Sequence, residues 1–262
     1  MCFSFFFKKK GAKYDVSHYT VSKKDKDLYL VPKNGKHTET FIFMHGLGDT
    51  ANGWVDTFME SSTNVVLPTT KVVLLTSPFA PVTVNQGEKM RSWFDIKTFT
   101  PKADEFEKSI GVDEVNKNSE RIKDVILQEM KLLGDDSKKI VIGGFSQGCA
   151  MALHVGLQFD KPLGGIIGWS GYLFPTTKFN QANEETPILW SHGTADKVIG
   201  FKVAKKSFER LDAEKHKLVR LKEKGLGHST NNNVLKETRK FFASIFSTDV
   251  PPKNKKNSKI VK

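Results

Sequence analysis

The chain has 262 residues, of which 38% are hydrophobic, and it carries a formal net charge of +12. This length and composition predict one sizeable core, and no run of about 18 apolar residues is present to form a transmembrane helix. The two cysteines, Cys2 and Cys149, give no disulfide framework, which favours a reducing, intracellular setting.

The positive charge is concentrated at the two ends of the sequence. Lys8, Lys9 and Lys10 lie near the start, and five more lysines lie in residues 251–262. Without these eight lysines the charge falls from +12 to about +4, an ordinary value for a domain. The body of the chain has no nucleic-acid-binding motif. We therefore expect no nucleic-acid partner, and we interpret the basic end as a solvated, disordered tail.

The first ten residues combine a thiol, Cys2, with four phenylalanines and the three lysines. The apolar part is too short for a signal peptide, and its positive charges follow it rather than precede it. Residue 2 is not the glycine that N-myristoylation requires. A lipidatable cysteine beside aromatic and basic residues is typical of a membrane-surface anchor. The segment predicts a cytoplasmic protein that associates peripherally with membranes through its N-terminus.

Short β-rich apolar runs then alternate with helical patterns along the chain. The predicted strands are residues 28–31, 40–44, 71–76, 139–143, 164–169, 187–191 and 217–221, and the predicted helices are 110–133, 149–157, 201–211 and 234–246. Several strands are apolar without alternation, which indicates burial on both faces of a parallel sheet. The pattern predicts an α/β fold with a mostly parallel central sheet and helices on both faces. Residues 77–102 lack periodicity and predict a long functional loop.

A nucleophile motif lies where the strand at 139–143 meets the helix at 149–157. Residues 144–148 read GFSQG and fit the G-x-S-x-G elbow, in which a serine occupies a strained strand-to-helix turn. Any Cβ at the flanking glycines would collide with the neighbouring strand or helix. The motif predicts that Ser146 is the nucleophile of a hydrolase.

A serine nucleophile needs a base and an orienting acid, and in such folds the chain order is serine, acid, histidine. His228 follows the last predicted strand in a glycine-containing loop, whereas the other six histidines lie too early, in the wrong element or without such a loop. Asp196 follows the strand at 187–191 and precedes His228, so it is the predicted acid. Asp212 is the alternative acid.

An oxyanion also needs two backbone N–H donors. One predicted donor is Gln147, which follows the nucleophile at a helix N-terminus, where the helix dipole adds positive potential. The other is Leu47, in the glycine-rich loop 45–50 directly after the strand at 40–44.

Together these motifs resemble the acyl-protein thioesterase and lysophospholipase branch of the α/β-hydrolases, also described as carboxylesterases. Five blocks in family order carry the resemblance: residues 45–50 (HGLGDT), 80–82 (APV) with 93–95 (WFD), 144–148 (GFSQG), 192–196 (HGTAD) and 227–229 (GHS). The resemblance implies a single α/β-hydrolase domain over residues 27–248, flanked by an N-terminal extension (1–26) and the basic tail (249–262). It also implies that no metal or cofactor is needed.

The resemblance further implies a substrate loop in which Phe79, Trp93 and Phe94 line the acyl site. Phe79 stands where the family usually has histidine, and Arg91 stands where it usually has proline. Cys149 replaces a usual glycine, and we interpret it as a small packed hydrophobe rather than a second nucleophile.

Three functions follow from these motifs. The first is a serine hydrolase that removes long-chain acyl groups from S-acylated protein cysteines. The second is a lysophospholipase or general carboxylesterase with the same three residues. The third is a catalytically silent lipid-binding or membrane-adaptor protein, which would have no need of all three residues and both oxyanion loops. The expected partners are S-acylated proteins, lysophospholipids or both, and the sequence leaves the oligomeric state open.

Overall fold

A computed structural model describes residues 18–33, 35–60, 62–98 and 108–246 of the chain. The strands are β1 (Tyr19–Lys24), β2 (Asp27–Pro32), β3 (Glu39–Met44), β4 (Thr70–Leu75), β5 (Phe79–Val82), β6 (Glu88–Arg91), β7 (Ile140–Phe145), β8 (Gly165–Trp169), β9 (Ile188–Gly193) and β10 (Leu218–Glu223). The α-helices are α1 (Val55–Met59), α2 (Val112–Leu132), α3 (Gln147–Gln158), α4 (Phe201–Ala213) and α5 (Asn232–Phe246). The predicted N-terminal anchor and the basic tail lie outside the described residues.

The main sheet of the described residues has eight strands in the order β1-β2-β4-β3-β7-β8-β9-β10. All pairs from β4 to β10 in this order are parallel, whereas β1 and β2 add an antiparallel edge. The prediction of a mostly parallel sheet is therefore confirmed. Because parallel strands end at the same edge, the loops after β3, β7, β9 and β10 meet there.

Successive residues of the central strands face opposite sides of the sheet, and each side has its own core. Ile42 packs with side chains of α2, α3 and α4 on one side. Phe43, the next residue of β3, packs with Phe58 of α1 and Val234 of α5 on the other. The continuous apolar runs of the sequence are explained by this burial on both faces.

A largely buried polar cluster lies near the N-terminal ends of β3 and β4, at the edge away from the converging loops. Lys71 Nζ lies 2.6 Å from Glu129 Oε1, and Thr40 Oγ1 donates to Glu129 Oε2 at 3.1 Å. His37 Nε2 lies 2.7 Å from Thr40 Oγ1. Burial, and then the nearby charge of Lys71, lower the pKa of His37. We call these four residues the lower cluster.

The predicted strands all exist, with ends shifted by no more than two residues. The sequence missed β1 because five of its six residues are exposed and mostly polar. β1 pairs with β2, so the sheet begins inside the segment predicted as an N-terminal extension. The predicted long loop after β4 contains the β5–β6 hairpin. Within the described part of the chain, no helix is long and apolar enough to cross a membrane.

Candidate active site

Ser146 occupies the one-residue junction between β7 and α3. Its backbone has φ 56° and ψ −118°, a conformation that L-residues rarely adopt and that stores strain. The Ser146 N–H donates to Trp169 O at 2.9 Å, which ties the junction to the end of β8. The turn therefore presents the side chain at the carboxyl edge of the sheet.

The glycines on either side are required by contact. A Cβ on Gly148 would lie 2.1 Å from Met44 O, and one on Gly144 would lie 2.3 Å from Gly148 C. Real Cβ atoms do not approach backbone atoms so closely, so the predicted steric need for glycine is confirmed. This close packing holds α3 directly against the end of β3.

His228 lies in the loop between β10 and α5 and bridges two of the predicted residues. Its Nε2 is 2.9 Å from Ser146 Oγ, and its Nδ1 is 2.8 Å from Asp196 Oδ2. Because the Asp196 carboxylate can only accept, Nδ1–H is the donor, which leaves Nε2 to accept from the serine hydroxyl. The Phe145 ring packs 4.9 Å from the imidazole and restricts its orientation.

Asp196 follows β9, and its side chain is completely buried. Oδ1 accepts from the Val198 and Ile199 N–H groups, each at 2.9 Å. Burial alone would raise the pKa of Asp196, but the hydrogen bond and charge of His228, with the two backbone donors, outweigh it and hold the pKa below its ordinary value. The carboxylate is therefore ionised and able to stabilise an imidazolium.

His192 is a further contact of this carboxylate that the sequence analysis set aside. Its Nε2 lies 2.7 Å from Ile199 O and 3.4 Å from Asp196 Oδ2. Since Ile199 O only accepts, Nε2 carries the proton, and burial lowers the pKa of the ring. The spacing of His192 and Asp196 across one tight loop was the available signal for this contact.

The alternative acid, Asp212, does not approach the histidine. It lies near the end of α4 with its side chain about half exposed, and it forms an ion pair with Arg220 of β10. Asp196 is thus the carboxylate that the fold brings to His228.

The loop after β3 lies against the nucleophile. A Cβ on Gly46 would be 3.3 Å from Ser146 Cβ. The buried His45 accepts from Ser77 N–H at Nε2 (3.0 Å), so its Nδ1–H donates to Gly46 O at 2.6 Å. Burial lowers the pKa of His45 to about 4. Because the carbonyl and the next N–H of a trans peptide point in opposite directions, this bond directs the Leu47 N–H away from the His45 ring.

The Gln147 N–H lies at the start of α3, where helical residues have no intrahelical acceptor. Neither this group nor the Leu47 N–H donates to another backbone group among the described residues. The Gln147 side chain, in contrast, is fully engaged: Nε2 donates to Phe94 O at 2.7 Å, and Oε1 accepts from the Trp93 N–H at 3.0 Å. Two donors without a backbone acceptor therefore lie beside the serine, one in the loop after β3 and the other at the first residue of α3.

The predicted substrate loop is divided by the structure. Phe79 is 62% exposed on β5 and lies opposite Arg91 of β6, whose guanidinium stacks 4.7 Å from the ring centroid. Trp93 and Phe94 are instead completely buried and pack in the core beside α2 and α3, and their placement at an acyl site stays a prediction. The Gln147 side chain is hydrogen-bonded to the backbone of residues 93 and 94, and their rings are part of the hydrophobic core.

Cys149 lies in the first turn of α3 and is fully buried. A Cβ on Gly168 would meet its Sγ at 2.7 Å, and one on Gly171 would meet it at 2.6 Å. Burial raises the pKa of the thiol, so it carries no thiolate at neutral pH. The interpretation of Cys149 as a packed hydrophobe is confirmed.

Among the described residues no cluster of three or more His, Cys, Asp or Glu side chains could hold a metal ion. What the edge of the sheet does hold is a serine hydroxyl bonded to a histidine, the histidine bonded to a buried carboxylate, and two unused N–H donors beside them. This arrangement has the parts needed for acyl transfer through a serine ester.

Several known proteins are similar to this chain in sequence and structure. The profile of the phospholipase/carboxylesterase family matches residues 26–246. The chain is 33% identical over 231 residues to acyl-protein thioesterase 1 of Gibberella zeae, covering 86% of this chain and 96% of that protein. It is 34% identical over 223 residues to acyl-protein thioesterase 1 homolog 1 of Dictyostelium discoideum, covering 83% and 95%. The crystal structure of Arabidopsis thaliana SOBER1 superposes with a TM-score of 0.69 at 29% identity, covering 80% and 99%.

Proposed function

The chain belongs to the phospholipase/carboxylesterase family of thioester and carboxylic-ester hydrolases, and on that premise we propose that it removes long-chain acyl groups from S-acylated cysteines of proteins. The observation that carries the mechanism is the hydrogen-bonded chain from Ser146 Oγ through His228 to Asp196. The names of the relatives support the substrate, since acyl-protein thioesterases recur among them.

In the proposed first step Ser146 Oγ attacks the thioester carbonyl while His228 Nε2 takes its proton. The carbonyl oxygen becomes an oxyanion, which the Leu47 and Gln147 N–H groups stabilise. The tetrahedral intermediate then breaks its C–S bond, and the imidazolium returns the proton to the departing cysteine sulfur. Asp196 holds the tautomer in which Nε2 can accept.

In the second step water hydrolyses the acyl-enzyme. His228 removes a proton from the water, whose oxygen attacks the ester carbonyl, and the same two N–H groups stabilise the second oxyanion. Collapse returns the proton to Ser146 Oγ and releases a fatty acid. No other reactant is needed, so the cycle closes on the chain's own residues and water.

The principal alternative is a lysophospholipase or general carboxylesterase with the same residues, which the family membership equally allows. The experiment is a comparison of kcat/KM on a palmitoyl-thioester peptide, a lysophospholipid and a short aryl ester, with Ser146→Ala as the inactive control. We expect the thioester to be preferred by at least tenfold. A lysophospholipid preference of that size would replace the proposed substrate.

A fluorophosphonate probe separates both enzymes from a silent lipid-binding protein. Because the probe phosphonylates an activated serine, we expect mass spectrometry to find the adduct on Ser146. A protein that is folded but not labelled would have no activated serine, and an adduct on another residue would contradict the assignment of the nucleophile.

We also propose a cytoplasmic location with reversible membrane attachment through an acylated Cys2 and the cluster Lys8–Lys10. The support is the sequence alone, since this segment lies outside the described residues. One acyl chain gives marginal binding, and each lysine near an anionic surface adds about 1 kcal/mol. Cell fractionation of the wild type, Cys2→Ser and a triple Lys→Ala variant tests this. Membrane association that is unchanged in Cys2→Ser would contradict it.

A further inference from the structure

Trp93 is hydrogen-bonded to both segments that carry the candidate oxyanion donors, the loop after β3 and the start of α3, although it belongs to neither. Its indole Nε1–H donates to His45 O at 2.8 Å, and its backbone N–H donates to Gln147 Oε1 at 3.0 Å. Its side chain is completely buried. One residue therefore bridges the loop after β3 to the first residue of α3.

Each of these bonds is made close to a donor. His45 precedes Leu47 by two residues, and its ring fixes the Gly46 carbonyl, which sets the direction of the Leu47 N–H. Gln147 itself provides the second N–H. A displacement of Trp93 would therefore move the two donors relative to each other, although it touches neither N–H directly.

The tryptophan is held in place from a third direction. Asn118 Nδ2 of α2 donates to Trp93 O at 2.6 Å, and the Arg121 guanidinium, also from α2, lies 5.8 Å from the ring centroid. Arg121 is in turn bonded to the Asp27 carboxylate of β2. The bridge is thus anchored to a long helix and to the sheet edge, so it can hold the two loops in one arrangement.

We infer that Trp93 is a positioning residue that fixes the separation of the Leu47 and Gln147 N–H donors. The inference rests on the proposed function, in which these donors bind the oxyanion. An oxyanion hole works only when both donors lie about 2.7–3.1 Å from the developing charge, so small shifts reduce its effect. The donors act on the transition state more than on bound substrate, so their misplacement lowers kcat rather than raising KM.

The chain offers a matched control. Trp190 of β9 is also fully buried, and its Nε1 has no hydrogen-bond partner among the residues described. Trp93→Phe and Trp190→Phe remove the same atoms from two buried sites. Only the first substitution removes a hydrogen bond to a loop of the candidate site, so any loss through packing alone should appear in both.

The experiment measures kcat and KM of both variants on the thioester peptide, and their inhibition by a trifluoromethyl ketone. Such a ketone forms a hemiketal with the serine and places an oxyanion between the two donors. We expect Trp93→Phe to lower kcat by about 10- to 100-fold, with KM within about twofold, and to weaken the inhibitor in parallel. Trp190→Phe should keep kcat and inhibition near those of the wild type.

Equal losses in both variants, or a kcat loss without weaker inhibition, would overturn the inference. If Trp93→Phe does not fold, as judged by circular dichroism, Gln147→Met provides the second test, because it removes the acceptor for the Trp93 N–H and keeps the Gln147 N–H. It should show the same kcat-specific loss and weaker inhibition, and normal values would overturn the inference. Fluorophosphonate labelling of Ser146 in the wild type separates failure of this inference from failure of the proposed function.

Discussion

The two ends of the central strands each hold a largely buried group of titratable side chains, but the groups differ in which hydrogen-bonding atoms remain without a partner. In the lower cluster, Lys71 and Glu129 pair with each other, and Thr40 links the carboxylate to His37. At the opposite edge, the carboxylate and the imidazole are equally well bonded. They end, however, on a serine hydroxyl in a strained turn, with two N–H donors free beside it.

This difference shows that buried charge alone does not identify an active site. The lower cluster has ionisable groups, low exposure and an altered histidine pKa, yet its lysine and carboxylate are paired with each other and it holds no serine in a strained turn. The upper edge combines backbone strain with unused hydrogen-bonding capacity, both of which cost stability and are typical of functional sites. Substitutions at the two ends should therefore affect different quantities.

The largest effect is expected for Ser146→Ala. Loss of the nucleophile should lower kcat by on the order of 10⁶-fold, as in serine proteases, while the free energy of unfolding changes by less than about 1 kcal/mol. Timed assays with the thioester peptide measure kcat, and urea titrations measure the free energy of unfolding. Appreciable turnover by the purified variant would show that another residue is the nucleophile.

Asp196→Asn should have the next largest effect on activity. An amide at this position favours the wrong tautomer of His228, so kcat should fall by about 10⁴-fold with the fold retained. Asp212→Asn is the control, because the ion pair of Asp212 with Arg220 is partly exposed. Its loss should change the free energy of unfolding by no more than about 1 kcal/mol. Near-normal kcat in Asp196→Asn would assign the acid elsewhere.

Lys71→Met tests the lower cluster and should lower stability rather than activity. It leaves the Glu129 charge buried and unpaired, so unfolding should become easier by about 3–5 kcal/mol, with kcat of the folded enzyme unchanged. A double variant, Lys71→Met with Glu129→Leu, removes both charges and should recover most of the loss. A double variant as unstable as the single one would mean that packing, not charge, explains the effect.

The smallest of these effects is on pH dependence. His45 has its pKa lowered from 6.5 to about 4, so between these values the unfolded chain binds a proton that the folded protein excludes. Stability should therefore decrease as the pH falls from about 6.5 to about 4, by on the order of 3 kcal/mol from this residue. Urea titrations at pH 7 and 5 should show a smaller decrease in His45→Gln than in the wild type. His37→Gln, which removes a half-buried histidine of the lower cluster, should change the decrease less.

The sheet and its helices could be predicted because their residues carry the two patterns that burial imposes. Apolar runs such as residues 72–75 are continuous where both faces of the sheet are covered, and α2 has apolar residues at helical spacing. β1 escaped prediction because it is largely exposed, and the β5–β6 hairpin because its strands are short and largely exposed, so burial leaves little mark on their sequences. Their strand character comes from pairing with a neighbour.

Ser146, Asp196 and His228 could be chosen because chain order and loop position limit the alternatives, and the structure brings the three side chains together. Their catalytic roles stay a prediction. The burial of the Trp93 and Phe94 rings could not be predicted, because a motif shows that residues are near a site without showing which way they face. Their role at an acyl site stays a prediction. The bonds of the Gln147 side chain, which turn this segment inward, depend on tertiary contacts.

The buried thiol of Cys149 gives the molecule a built-in reporter of its own opening. In a Cys2→Ser background it is the sole thiol of the chain. An alkylating reagent can reach it only when α3 separates from Gly168, near the end of β8, and from Gly171, which follows β8. Its labelling rate then measures how often this part of the protein opens. Ser146 immediately precedes the helix that contains Cys149. A covalent inhibitor that ties the serine to both oxyanion donors should therefore slow labelling of a cysteine that it does not touch.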